Sequence, residues 1–179
     1  MSERLFLTAL MAWLFIGMPA SAAQTSSPLP KRAAVMDFEL INEMRDYETA
    51  DTNAAQQRRL DLISDALRRE FDQRAMYRTA DNNAAAKLIA DQKARQDLRN
   101  CNGCELDIGR ALGADVVILA WVQKVSNLIL NVNIEVKEVA SGKTLYTKSV
   151  DLRSNSDNSW LRGIRYMVDS IEEKKQHLR

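Results

Sequence analysis

Residues Val116–Val122 (VVILAWV) are seven consecutive apolar side chains, the pattern of a β-strand covered on both faces. Such a strand demands helices above and below its sheet. Downstream, Leu130, Val132, Ile134 and Val136 alternate with Asn131, Asn133, Glu135 and Lys137, which predicts a half-exposed antiparallel strand. Ala140-Ser141-Gly142-Lys143 carries turn chemistry, and Leu145 to Leu152 returns as a third strand, so the three form a meander. Trp160, Ile164, Met167, Val168 and Ile171 then recur at helical spacing behind Ser156 or Asp157 as N-cap.

Upstream, Val35, Asp37 and Glu39 alternate with Met36, Phe38 and Leu40, which predicts one strand over 33–41. Asn42 to Ala55 is polar, lacks apolar periodicity and reads as a loop. Leu60, Ile63, Leu67 and Phe71 share a helical face, and Met76 to Thr79 fits a short strand. Ala84 to Leu98, with Leu88 as one of few apolar anchors, predicts a surface helix. The order β-α-β-α(α)-β-β-β-α belongs to the α/β (α+β) class. It implies a mixed central sheet of about five strands with helices packed on it, then the meander and a closing helix.

Leu5 to Met18 holds 14 residues without a charge. Small residues follow where signal peptidase cuts, so residues 1–23 read as a cleavable secretory signal. Ala20 and Ala22 place the cut before Ala23, whereas Ser21 and Ala23 shift it by one. At about 1.5 Å per residue the apolar run reaches roughly 21 Å, short of a hydrocarbon core of about 30 Å, which disfavours a retained anchor. No cysteine follows before Cys101, so a lipid-attachment cysteine is not at hand. Residues 24–32 read as a linker and 33–176 as one domain, a periplasmic protein with no membrane span in the mature chain. A formal net charge of +1 gives no electrostatic reason to expect nucleic acid or an acidic membrane as partner.

Cys101-Asn102-Gly103-Cys104 precedes a helix beginning near Glu105, where free N–H groups favour a thiolate. A c-type haem site needs His after the second Cys and finds Glu105. Zinc needs more ligands, and the one His is His177. A thioredoxin-like site wants a cis-proline opposite, yet the prolines are Pro19, Pro28 and Pro30. In an oxidising compartment the expectation is a structural disulfide, with thiol–disulfide redox chemistry as the alternative. Phosphate loops, G-x-S-x-G and H-E-x-x-H are missing, so no catalytic residue, metal or cofactor is expected. The acidic residues Glu43, Asp46, Glu48 and Asp51 read as a solvated loop. For binding, the polar set Gln123, Lys124, Asn127, Asn131 and Asn133 is notable because Asn is disfavoured in strands unless exposed or hydrogen-bonded. Trp160 and Arg162, residue types favoured in interfaces, could join it, although Trp160 also fits the apolar face of the last helix.

The stretches AAVMDFELI, LDLISDALRREF leading into RAMYRTAD, ALGADVVILAWVQKV and VNIEVKEVASGKTLYTKSV resemble the N-terminal α/β domain of the periplasmic TolB family and related CsgG-like domains. VQKVSNLILNVNIEV with DLRSNSDNSWLRGIRYMV resembles more closely a family of short exported bacterial proteins with no assigned function. The chain ends where TolB's propeller would begin, so propeller functions do not carry over. The resemblance implies a non-enzymatic periplasmic module that recognises a protein partner. A redox protein using Cys101 and Cys104, and an accessory role in periplasmic quinoprotein alcohol oxidation, are the alternatives.

Overall fold

A computed structural model describes residues 29–177. The expected signal, and residues 24–28 of the expected linker, lie outside the described residues. In chain order the elements are β1 (Arg32–Val35), β2 (Glu39–Asn42), α1 (Ala50–Gln73), β3 (Arg78–Thr79), α2 (Ala86–Arg95), α3 (Cys104–Ala111), β4 (Val116–Lys124), β5 (Leu130–Glu138), β6 (Thr144–Leu152) and α4 (Asp157–His177). The sheet runs β3-β1-β4-β5-β6, with β2 also paired to β4. Strands β1 to β4 are mutually parallel where they pair, and the β4–β5 and β5–β6 hairpins are antiparallel. This is the mixed α+β sheet with a closing helix that the hydrophobic pattern predicts.

β4 is buried on both faces, as its composition requires. Val116, Ile118, Ala120 and Val122 join Leu130, Val132, Ile134 and Val136 under α1 and α4. On the other face Val117 and Leu119 meet Ile108 and Leu112 of α3 and its C-terminal end. Leu60, Ile63, Leu67 and Phe71 of α1, and Trp160, Ile164, Met167 and Val168 of α4, pack into the first layer. Burying each such side chain contributes about 1.5–3 kcal/mol of transfer free energy. The two helices are also tied by ion pairs, Arg59 to Asp157 at 2.6 Å and Arg74 to Asp169 at 2.6 Å.

Three expectations are corrected. The segment 33–41 is not one strand. Ala33 and Val35 lie in the α1/α4 layer with Ala34 and Met36 opposite, yet Phe38 joins that same first layer with Leu40 packed against it. The strand therefore changes face between Met36 and Phe38, as happens when one extra residue is inserted. Secondly, α1 starts at Ala50 inside the expected loop, because the Thr49 hydroxyl accepts from the Thr52 N–H at 3.2 Å and caps the first turn. Its first two turns face polar groups, so hydrophobic periodicity is silent there. Thirdly, the surface helix is shorter than expected: a 3₁₀ turn over Asn82–Ala85 precedes α2, which ends at Arg95.

Gly109 lets α3 approach the β5–β6 turn, since a Cβ there would meet Val139 Cγ2 at 2.6 Å. Gly109→Ala is expected to lower the thermal midpoint. Overpacking costs about 1–3 kcal/mol, which outweighs the roughly 1 kcal/mol that alanine adds to a helix.

Candidate functional site

The face change in the first strand creates an unusual sheet edge. The Met36 N–H donates to the Ile118 carbonyl at 2.9 Å and the Glu43 N–H to the Lys124 carbonyl at 3.1 Å. In a parallel ladder alternate residues point at the neighbour, so residues of even number face β4 before the break and residues of odd number after it. At the break the Phe38 N–H leaves the ladder and donates to the Ser64 hydroxyl at 2.9 Å, and Ser64 donates onward to the Leu60 carbonyl at 2.7 Å. After the break, Leu40 and Asn42 turn their main-chain N–H and C=O away from β4. β3 covers only β1, through Arg32↔Arg78 and Ala33↔Thr79. The outer edge of β2 is therefore unpaired. Alongside it runs a cleft of about 480 Å³ with Phe38, Leu40 and Leu60 as apolar lining, Asn53 and Gln57 from α1, Lys93 from α2, and Arg45 near one end.

A buried ion pair fixes this end of the molecule. Lys124 lies one step beyond Val122 on the α1 side of β4 and is 0% exposed. Its ammonium donates to the Glu48 carboxylate, whose side chain is 8% exposed. Glu48 also accepts from Asn42 Nδ2 at 2.7 Å and from Gln56 Nε2 at 2.8 Å. Burial pushes the Glu48 carboxyl upward, but the hydrogen bonds from Lys124, Asn42 and Gln56 outweigh it and hold the group below the usual range. The network extends outward, because Asn155 Nδ2 reaches Asn127 Oδ1 at 3.1 Å and Arg59 reaches Asn155 Oδ1 at 3.3 Å. On the opposite face Glu39 pairs with Lys93 at 3.8 Å and Arg99 at 3.6 Å, and the Arg99 guanidinium sits 5.5 Å from the centre of the Trp121 ring. Burial, then a hydrogen bond with Asp97, raises the Glu39 carboxyl above its ordinary value.

Exposed apolar side chains gather at the same end. Leu128 is 77% and Ile129 61% exposed on the β4–β5 hairpin, and Tyr47 is 83% exposed on the turn after β2. The hairpin is held by its own bonds: Ser126 Oγ accepts from the N–H groups of Leu128 and Ile129, and the Ile129 carbonyl accepts from Val125 at 3.0 Å. The apolar tips are thus presented by a fixed backbone.

The binding residues singled out from sequence do not form one surface. Gln123, Asn131 and Asn133 share the sheet face away from α1, with Asn133 Nδ2 donating to Asn131 Oδ1 at 2.5 Å. Asn127 lies in the hairpin and joins the network above. Two others are not surface groups. Lys124 is the buried cation of the ion pair, and Trp160 is 0% exposed in the core because it occupies the apolar stripe of α4. Arg162 is exposed on α4, beside β6 and away from the others. Glu48, read as part of a solvated loop, is instead the buried counter-ion. The signal for it was Lys124 itself, an inward-pointing cation at the end of an apolar strand that requires an anion. Cys101 and Cys104 are both buried with their sulfurs at disulfide distance, and Cys101 Sγ lies 3.1 Å from a Glu105 carboxylate oxygen. Glu105 in turn accepts from Lys137 at 2.9 Å.

Removing one partner of a buried pair leaves an uncompensated charge. Lys124→Met is expected to lose about 3–5 kcal/mol in urea unfolding at neutral pH, with Glu48→Gln added to it restoring much of the loss. The pH dependence has a definite sign. A carboxylate held below its unfolded value of about 4.3 adds stability that is complete above that pH and disappears as pH falls through the folded value. Acid titration of stability should therefore be shallower in the Glu48→Gln/Lys124→Met double variant than in the wild type.

No helix among the described residues is long and apolar enough to cross a membrane. No curated protein matches the sequence. Among solved structures, the C-terminal domain of LpoB from Salmonella enterica is similar at 13% identity and TM-score 0.50, covering 73% of this chain and 87% of that one. LpoB from Escherichia coli gives 12% identity and TM-score 0.48, covering 86% and 84%. The lipoprotein GNA1162 from Neisseria meningitidis gives 15% identity and TM-score 0.48, covering 83% and 97%. At 13% identity the similarity to the LpoB C-terminal domain is one of fold alone. The family model DUF3280, described as protein of unknown function (DUF2380), matches residues 31–171, and the chain belongs to that family.

Proposed function

We propose that this protein is an exported, non-enzymatic binding module of the bacterial periplasm that holds a partner protein at the end of the sheet where β2 and β4 finish. In this reading residues 1–23 are removed on export and 33–176 act as one domain. The observation that carries it is the set of exposed apolar side chains, Tyr47, Leu128 and Ile129, at the end of the sheet where β2 and β4 finish, a region fixed by a buried ion pair and hydrogen-bonded turns. Apolar tips on a rigid mount are a recognition device more than a stability device. The resemblance to TolB-like and CsgG-like periplasmic domains supports the same reading.

The thiol–disulfide alternative has weaker support. Both sulfurs are buried, Cys101 8% and Cys104 6% exposed, so neither is open to an attacking thiol. Cys101→Ser/Cys104→Ser is expected to fold and to lose no more than about 2 kcal/mol, because so short a loop restricts the unfolded chain little. Urea unfolding of the double variant checks this. A role in quinoprotein oxidation rests on resemblance alone.

A photo-crosslinking amino acid at position 128 tests the binding module in cells. The reading expects one reproducible protein adduct there, and none from the same group at position 166 on the exposed flank of α4. Leu128→Asp/Ile129→Asp should abolish the adduct formed from position 47 while leaving circular dichroism unchanged. Equal labelling from positions 128 and 166, or none from 128, would contradict the reading.

A further inference from the structure

The geometry points to β2 as an acceptor edge: an extended segment of the partner protein adds to it as a strand, parallel to β2, with a carboxylate at the segment's C-terminal end meeting Arg45. The inference rests on the binding-module reading and specifies its mode.

The main chain sets the mode. Leu40 and Asn42 direct their N–H and C=O groups outward, and no partner for those main-chain groups is present among the described residues. Both residues are half-buried in the cleft. Peptide groups that are partly desolvated and unpaired are costly, and a strand laid beside them is the structure that satisfies them all together. The slot already has that form further along. β3 lies in it against β1, parallel, but stops at Thr79, and the line it would follow next is the free edge of β2. An added strand continues that line. Its side chains would alternate between Phe38, Leu40 and Leu60 on the α1 side and Lys93 with Glu39 on the α2 side.

Charge sets the direction and the end group. The cleft is lined by two cations, Arg45 and Lys93, and one carboxylate, Glu39. Glu39 is engaged by Lys93 and Arg99, whereas Arg45 is exposed and has no carboxylate partner among the described residues. Arg45 follows the C-terminal end of β2. A parallel strand brings its own C-terminal end there, so a terminal carboxylate or an acidic side chain can pair with the guanidinium. An antiparallel strand would bring its amino end to the same cation. The opposite edge of the sheet, β6, carries Lys148 and Asp151, charges of the sort that discourage edge pairing.

The test uses the synthetic pentapeptide Thr-Val-Thr-Val-Asp with a free C-terminal carboxylate, titrated into the full mature chain and followed by amide NMR. Expected are shifts concentrated at Leu40, Asn42 and Arg45, and cross-peaks between peptide and β2 in parallel register. Arg45→Glu, and separately amidation of the peptide's terminus with Asn in place of Asp, should each weaken binding by about tenfold or more. Leu40→Pro removes an outward N–H without touching the β4 ladder and should abolish binding; Arg45→Glu keeps the test decisive if that variant does not fold. No response at β2, an antiparallel register, shifts confined to β6, or a wild-type chain whose β2 edge is shown by light scattering and NMR to be covered by a second copy would each overturn the inference. If crosslinking at position 128 persists while the peptide fails to reach β2, the edge inference falls and the binding module stands. If both fail, both fall.

Discussion

One hydrogen bond organises this end of the molecule: the Phe38 N–H goes to the Ser64 hydroxyl instead of to β4. Because it leaves the ladder, the first strand advances by one residue relative to its neighbour and every side chain after it changes face. Phe38 and Leu40 then enter the layer under α1, and Glu39 turns toward Arg99 and Lys93. The same shift leaves the amides of Leu40 and Asn42 facing outward. Ser64 sits in mid-helix, where a hydroxyl ordinarily bonds only its own turn. Here it satisfies both its donor and its acceptor roles, so a buried polar group is fully paired.

The Lys124–Glu48 pair completes the construction from the other side. A buried ion pair is a weak route to stability, because desolvation cancels most of the attraction, but it can fix a single arrangement. In this protein it ties the end of the most buried strand to the segment between β2 and α1, and Asn42 and Gln56 add two further hydrogen bonds to the carboxylate. The turn bearing Tyr47 and the hairpin bearing Leu128 are thereby mounted on one polar core. A recognition surface built this way loses little conformational freedom when it binds.

Most of the fold was legible from hydrophobic period alone. The apolar run at 116–122, the alternation at 130–137 and the spacing of Trp160, Ile164 and Met167 fixed the sheet layers and the closing helix, because packing dominates those segments. The site was legible only in part. Alternation over 33–41 looked unbroken, since Val35 and Met36, and Phe38 and Leu40, are apolar on whichever face they fall, and a single inserted residue leaves no mark in such a pattern. The start of α1 was hidden because its first turns, from Asn53 to Gln56, serve hydrogen bonds and not the core. Lys124 was read as a surface group because its counter-ion lies 76 residues away in sequence, a separation that local pattern cannot bridge. Trp160 shows the reverse case: its helical spacing correctly marked it as core-compatible, and burial decided the matter.

The central claim is that the first strand changes register at Phe38 and leaves β2 with a free edge. Amide hydrogen exchange measured residue by residue by NMR tests it most directly. The account predicts alternation after the break, with Ile41 and Glu43 protected by β4 and Leu40 and Asn42 exchanging much faster. Uniform protection across 39–43, or protection of Leu40 and Asn42 with exposure of Ile41, would contradict it.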